Sequence, residues 1–542
     1  MTASRTASSK QQVLIYDTTL RDGSQGEGVN FCLQDKIRLA HLLDDLGIHY
    51  VEGGWPGSNP KDIDFFRAMQ DEALHHATLV AFGSTRRAGT RASADRNLTS
   101  LLKARPGAAC IVGKTWDLHV RDALRVDAEE NLDMIASSVA FLKKRLPEVF
   151  FDAEHFFDGF RRNPEFALAA IGAALGAGAD AVILCDTNGG ALVGEITSGV
   201  NAVRERFPGA RVGIHCHNDA GMAVANSVEA VLHGADIVQG CMNGFGERTG
   251  NADLCSVMPV LELRCDRRCI GPKNLAKLTA ASRLVYELAN VGRHTHQPFV
   301  GYSAFAHKGG LHVSAMARNH ETYEAFSPEA VGNSRRILVS ELAGRASIIA
   351  KYPGLAEHPE KQKLVLDEVM RLEHSGYAFE NADASFELLV KRLLGLHHPA
   401  FNLLGFRAST EDREGSILPV SEASVKIHIG GVEYHTVADA YHGPVAALDL
   451  ALRKALLPVY PFFDDLRLVD YRVHIVNARA AAEASVRVVI QSSEDRDTWG
   501  TVGVSENILN ASLQALVDSC QYMIMRHGGD RAAKTRGRRR KK

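Results

Sequence analysis

Val212-Gly213-Ile214-His215-Cys216-His217-Asn218-Asp219 is the stretch on which the reading of this chain turns. Its apolar lead-in, Val212 to Ile214, reads as a buried strand that runs into a polar cluster. Side chains two apart on a strand share a face, so His215 and His217 would offer both imidazoles to one point. Two neutral imidazoles converging at a strand end make half of a divalent-metal site. A chance pair on an exposed edge also accounts for the spacing in a chain with 23 histidines. The decision has to come from the surrounding sequence.

Working outward, seven more short apolar runs alternate with amphipathic segments between Val13 and about Met242. The runs are Val13–Tyr16, Tyr50–Gly53, Leu79–Gly83, Cys110–Gly113, Val149–Glu154, Ala181–Cys185 and Ile237–Cys241, with Val212–His217 as the seventh of eight in order. Helical patterns lie between them, among them Gln34–Leu46, Glu129–Arg145, Pro164–Leu175, Val193–Arg206 and Met222–Leu232. Eight strand–helix units predict an α/β protein with a (β/α)8 TIM barrel. A doubly wound open sheet fits less well, because no Gly-rich dinucleotide turn follows the first strand.

Function in such a barrel sits at the C-terminal ends of the strands. Strand one leads into Asp17-Thr18-Thr19-Leu20-Arg21-Asp22-Gly23. Strand two ends in Glu52, strand four at Lys114 and strand five at Glu154. Strand six runs into Asp186-Thr187-Asn188, and strand eight leads to Asn243-Gly244-Phe245-Gly246-Glu247-Arg248-Thr249-Gly250-Asn251. One mouth therefore collects carboxylates, imidazoles, an arginine and an amide, which a purely structural barrel has no reason to do.

The length of 542 residues calls for two or three domains. A net charge of −2 gives no field to attract nucleic acid, and no apolar run approaches the ~20 residues of a membrane span. The polar segment Met1–Gln12 lacks a secretory core, so cytoplasmic placement and a disordered N-terminus, residues 1–12, are expected. Nine scattered cysteines, including Cys265 and Cys269 without further ligands, read as reduced thiols. The basic run Arg536–Lys542 belongs to a disordered tail, residues 526–542.

Asp17 to Gly23, the His215-x-His217 pair and Gly246-Glu247-Arg248-Thr249-Gly250-Asn251 together resemble the metal-dependent acyl-CoA condensing barrels. That family includes isopropylmalate, homocitrate and citramalate synthases. Arg21-Asp22-Gly23-Ser24-Gln25-Gly26-Glu27-Gly28 and Glu52-Gly53-Gly54-Trp55-Pro56-Gly57-Ser58-Asn59-Pro60 are most similar to its citramalate branch. The resemblance implies metal ligands at Asp22, His215, His217 and Asn251 for one Mg²⁺, Mn²⁺ or Zn²⁺ ion. Asp17 reads as a supporting carboxylate, and Glu247 and Arg248 as a pair or a loop brace. The chemistry open to such a mouth gives Arg21 a catalytic role in neutralising negative charge on the substrate, Thr187 a part in binding the substrate carboxylate, and Glu154 a part in holding substrate or relaying a proton.

Ala304-Phe305-Ala306-His307-Lys308-Gly309-Gly310-Leu311-His312-Val313 resembles the family's histidine-bearing lid, which closes over the partner's barrel in a domain-exchanged homodimer. On that likeness His312 is the catalytic base and Tyr323 assists it. His307 reads as local packing, and Lys308 as a group that could face coenzyme A phosphates. Phe82, Trp116 and Phe156 lie near strand ends and are candidates for limiting the substrate's size. Leu342 to Ser347 and Gly376 to Glu380 continue the family pattern.

The last third repeats itself. Glu422-Ala423-Ser424-Val425-Lys426-Ile427 recurs as Glu483-Ala484-Ser485-Val486-Arg487-Val488. Each copy sits between strand-like runs and is followed by a helix (Pro444–Leu456; Asn507–Met523), predicting two β-β-β-α units. This α+β module resembles the family's regulatory domain, which binds an end-product amino acid; for a citramalate synthase that effector is isoleucine. A dimerisation module without ligand is the alternative.

The expected division is a catalytic barrel at residues 13–285, linker and lid subdomains at 286–398, and a regulatory domain at 399–525. The activity implied is condensation of acetyl-CoA with pyruvate and hydrolysis of the thioester to (R)-citramalate. Alternatives are a synthase for a longer 2-oxo acid, such as 2-isopropylmalate or homocitrate synthase, a lyase, or an inactive amino-acid sensor. The lyase is disfavoured by the C-terminal repeat.

Overall fold

The structure is a computed structural model and describes residues 10–316, 318–338, 348–349, 352–411, 419–476, 484–495 and 497–528. Eight strands close into a parallel barrel: β1 (Leu14–Asp17), β2 (Tyr50–Gly54), β3 (Thr78–Ser84), β4 (Ala108–Lys114), β5 (Glu148–Glu154), β6 (Ala181–Asp186), β7 (Val212–Cys216) and β8 (Ile237–Gly240). Closure is made by β1 against β8, Leu14 opposite Ile237 through Asp17 opposite Gly240. Every expected strand is present, with ends shifted by one or two residues.

The runs are apolar on both faces because both faces are covered. Tyr16, Tyr50, Phe82, Phe150, Ile183 and Ile237 point inward and fill the barrel. Their neighbours Ile15, Val51, Ala81, Phe151, Val182 and Val238 point outward and pack under the helices. The helices start where short polar side chains accept from their first N–H groups: Asp95 for Arg96–Lys103, Asp127 for Ala128–Lys143, and Asn163, followed by Pro164, for Pro164–Gly176. Gln11 and Gln12, expected in a disordered end, instead pair in parallel with Arg267 and Arg268.

The chain divides into two compact units, Met1–Phe305 with Ala325–Arg335, and Ala306–Glu324 with Arg336–Lys542. The second contains helices Pro359–His374 and Asp383–Leu393, then the repeat. Strands β9 (Asn402–Glu411), β10 (Val420–Ile429) and β11 (Val432–Ala440) form one antiparallel sheet, followed by helix Pro444–Leu456. Strands β12 (Arg467–Ile475), β13 (Val486–Glu494) and β14 (Asp497–Ser505) form the other, followed by helix Ile508–Arg526. Val425, Ile427, Val488 and Ile490 share one core with Leu448, Leu452 and Leu516 of the two helices. The order is therefore β-β-β-α twice, with the repeated motif on or entering the central strand of each sheet. Glu483, Leu342 to Ser347 and the tail from residue 529 lie outside the described residues. No helix among the described residues is long and apolar enough to cross a membrane, and all nine cysteines are unpaired.

Candidate active site

The loop after β1 decides which of two aspartates enters the mouth. Asp17 accepts from Thr19 N at 2.9 Å and Thr19 Oγ1 at 2.8 Å, so its carboxylate is consumed in holding the turn. Burial pushes that carboxyl up to about 7. The N–H groups of Arg21 and Gly23 both donate to the Thr18 carbonyl, at 3.1 and 3.0 Å, and the tight turn delivers Asp22 to the site.

His215 is the penultimate residue of β7, and His217 lies just past its end in a bridge to Asn251. Their rings are 5.1 Å apart and only 5% and 7% exposed, which excludes the exposed-edge reading. Among the described residues, Asp22, His215 and His217 are the one group of such side chains whose ligand atoms all lie within 4.8 Å of one another. Asn251 Nδ2 donates to the Phe245 carbonyl at 3.0 Å, while Asn251 Oδ1 and His217 Nδ1 are buried without a hydrogen-bond partner. Buried polar atoms left unpaired cost free energy, and a cation among these donors would satisfy them. A side chain at Gly246 would collide with the Asn251 amide, and one at Gly250 with the Gly244 carbonyl. Both glycines have positive φ, +150° and +89°, so only glycine lets the loop fold back and present Asn251.

Burial alone would raise the Asp22 carboxyl, but Arg21 and the two imidazoles outweigh it and hold it below its ordinary value. Burial lowers both histidines, His217 to about 4 with His215 contributing, so both are neutral near pH 7. A carboxylate, two neutral imidazoles and an amide oxygen fit a divalent cation. Beside them, Arg21 Nε donates to Glu52 Oε1 at 2.6 Å, and Nη1 lies 3.2 Å from Asp22 Oδ2. Its guanidinium sits 3.8 Å above the centre of the Phe82 ring, and Glu52 is further held by the Tyr16 hydroxyl at 2.6 Å. Arg21, Asp22, Phe82, His215 and His217 open onto one cavity of about 550 Å³, whose lining also includes Thr187, Lys114 and Glu154.

Residues 12–285 match the HMGL-like family, residues 299–373 the homocitrate synthase post-HMGL domain-like family, and residues 380–524 the LeuA allosteric (dimerisation) domain. An (R)-citramalate synthase from Geobacter sulfurreducens is 51% identical over 516 residues, covering 94% of this chain and 97% of that protein. One from Aquifex aeolicus is 51% identical over 521 residues, covering 95% and 98%. The chain belongs to the (R)-citramalate synthase family. A 2-isopropylmalate synthase from Bradyrhizobium is 30% identical over 529 residues, 96% of each chain. As a citramalate synthase family member the chain is an acyltransferase; its HMGL-like match spans all eight barrel strands, and its LeuA match spans both β-β-β-α units.

In this family member the remaining expected residues fall into place unevenly. Lys114 and Glu154 are register partners on β4 and β5 and form an ion pair. Thr187 Oγ1 accepts from His155 N at 2.9 Å, which leaves its own hydrogen to donate elsewhere. Arg248 does not pair closely with Glu247, 3.9 Å away. It grips Asp219 with Nε and Nη2 at 2.8 and 2.9 Å and donates to the Thr187 carbonyl, bracing one strand-end loop on another. Phe82 lines the cavity, whereas Trp116 stacks on His119 outside it and Phe156 is buried among helices against Phe157 and Phe160. Both lie two residues past the strand, where the chain is already turning into its helix.

His312 and Tyr323 belong to the second unit, where their rings stack with centroids 4.0 Å apart. His307 is engaged by Glu324 at 3.1 Å, and Lys308 is paired with Glu380 at 2.5 Å. Two polar residues inside the barrel, Asp152 and Gln239, escape the sequence reading. The signals are a glutamine at the end of the apolar run Ile237-Val238-Gln239 and an aspartate inside Val149-Phe150-Phe151-Asp152-Ala153.

Proposed function

We propose that this chain joins acetyl-CoA to pyruvate in a Claisen-type condensation and hydrolyses the thioester, releasing (R)-citramalate and coenzyme A. The observation that carries this reading is the placing of Asp22, His215, His217 and Arg21 on one buried wall of a single cavity. The greater identity to citramalate synthases, 51% against 30% for a 2-isopropylmalate synthase, supports pyruvate over a longer 2-oxo acid.

Asp22, His215, His217 and Asn251 would hold one divalent ion, Mg²⁺, Mn²⁺ or Zn²⁺, whose chemistry is to chelate and polarise a 2-oxo acid. The Thr187 hydroxyl binds the substrate carboxylate. His312, supported by Tyr323, removes a methyl proton from acetyl-CoA, and the resulting carbon nucleophile attacks the ketone carbon. Arg21, held by Glu52 and Asp22, neutralises the negative charge that develops on the ketone oxygen. Glu154, fixed by Lys114, relays a proton as water adds to the thioester; the carbon–sulfur bond then breaks and the coenzyme A thiol departs.

His312 and Tyr323 would reach the mouth of a second copy in a domain-exchanged homodimer, with residues 286–398 forming the linker and lid. The β-β-β-α pair, residues 399–525, would bind isoleucine, so that the end product of this pyruvate route restrains its first step. Likeness to the LeuA allosteric (dimerisation) domain supports both roles.

The test is release of free thiol from acetyl-CoA by the purified chain, with a panel of 2-oxo acids. Pyruvate should be preferred. Release with 2-oxoisovalerate but none with pyruvate would overturn the substrate assignment, and turnover unaffected by His215→Ala would overturn the site.

A further inference from the structure

We infer that Gln239 and Asp152 are positioning residues that fix the tautomer of His215, leaving its Nε2 lone pair turned to Asp22. The inference rests on the metal reading above. Gln239 stands on the inner face of β8, fully buried, in register with His215 on β7. Its surroundings inside the barrel are dominated by Tyr16, Phe150, Ile183 and Ile237. An amide there costs free energy unless both of its ends are hydrogen-bonded, and a methionine or leucine would fill the space without that cost.

Both ends are bonded. Gln239 Nε2 donates to Asp152 Oδ1 at 3.0 Å, and the same oxygen accepts from the Cys110 thiol at 3.0 Å. Because Oδ1 is the shared acceptor of both bonds, the amide meets it with its N–H end, which sends the carbonyl the other way. That carbonyl lies 3.0 Å from His215 Nδ1. Nδ1 therefore carries the hydrogen, and in a neutral imidazole Nε2 is then bare. Nε2 is the nitrogen that faces Asp22, 3.6 Å from Oδ2. The opposite tautomer would aim an N–H into the donor cluster and leave the Gln239 carbonyl without a donor. His217 stands outside this chain of bonds, and its Nδ1 is one of the orphaned atoms that the cation would satisfy. The tautomer of His215 is thus set from β5 and β8.

The experiment uses the full chain stripped with chelator, and reads the ¹⁵N shifts of the His215 ring and the Mn²⁺ dissociation constant. The His215 signal is identified by its loss in His215→Ala. The wild type should show the Nδ1–H tautomer. Gln239→Met, of similar length but without an amide, should lose that tautomer and bind Mn²⁺ roughly 10–100-fold more weakly. The loss should vanish when Gln239→Met is added to His215→Ala, an outcome that a merely structural role would not give. An Nε2–H tautomer in the wild type overturns the inference, as does Gln239→Met with wild-type tautomer and affinity. Should Gln239→Met fail to fold, the wild-type ring spectrum decides. A wild type that binds no Mn²⁺ sinks the metal reading, while the ring spectrum still decides the role of Gln239.

Discussion

Arg21→Lys keeps the charge and removes the fork, and its cost can be worked from the geometry. The guanidinium meets Glu52 through Nε at 2.6 Å and Asp22 through Nη1 at 3.2 Å, and lies over Phe82. These contacts fix its plane, with donors left over for the cavity. A lysine ammonium is one point charge, and drawn back to Glu52 it stands ~2 Å further from the substrate. Moving a unit charge from ~3 to ~5 Å from a developing oxyanion, at an effective dielectric of ~20, weakens the attraction by about 2 kcal/mol. A lost directed N–H adds ~1 kcal/mol. The sum, about 3 kcal/mol, lowers kcat on the order of 10²-fold. The KM for pyruvate should change little, because the interaction is strongest in the transition state. The assay is thiol release at saturating pyruvate and acetyl-CoA, with a thermal melt to show that the variant folds. A kcat within about threefold of wild type would refute the assigned role of Arg21.

Glu52→Ala leaves a buried guanidinium with Asp22 as its remaining close carboxylate, and should destabilise the barrel by about 3 kcal/mol, the low end for breaking a buried pair; the urea midpoint reports it. Asp17→Asn should become more favourable relative to wild type as pH rises. Burial lifts the folded carboxyl from 3.8 to about 7, so the wild type has its full stability below about pH 4 and loses it between pH 4 and 7. The ceiling is roughly 4 kcal/mol, and a difference in melting temperature that stays flat from pH 4 to 8 would contradict it. Chelation should abolish thiol release and Mn²⁺ should restore it, except in His217→Ala, as a discontinuous activity assay will show. Isoleucine should raise the melting temperature of the full chain, and the rise should be absent after truncation near residue 400.

The barrel was legible because its strands are buried on both faces and each run ends abruptly in polar residues. His215 and His217 are legible as a pair because they sit at such an end, whereas Asp22 and Asn251, five and eleven residues past their strands, enter only through the family resemblance. What stayed hidden depends on pairing between strands. Gln239 meets His215 and Asp152 only because β8 neighbours β7 and faces β5 across the interior, and no spacing within one strand carries that information. Lys114 and Glu154, 40 residues apart, become partners through the β4–β5 register alone. Of the two readings of Arg248, a pair with Glu247 or a loop brace, the structure favours the brace, and its partner Asp219, which offers both carboxylate oxygens, is not visible from the spacing. The errors at Trp116 and Phe156 have the same origin: nearness to a strand end in sequence does not say which way the first residue of the following helix turns.

The glycines at 246 and 250 also bear on how this catalyst could be redesigned. That rim of the mouth has no room for even one added methyl group, so variation there would be met by collapse of the loop before any change in selectivity appeared. The rim where Ser84 and Val112 border the same space has no positive-φ residue, and only Phe82 there is tied to the catalytic arginine. A library intended to admit bulkier keto acids should therefore be built on β3 and β4 alone, leaving the Asn251 loop as a fixed frame.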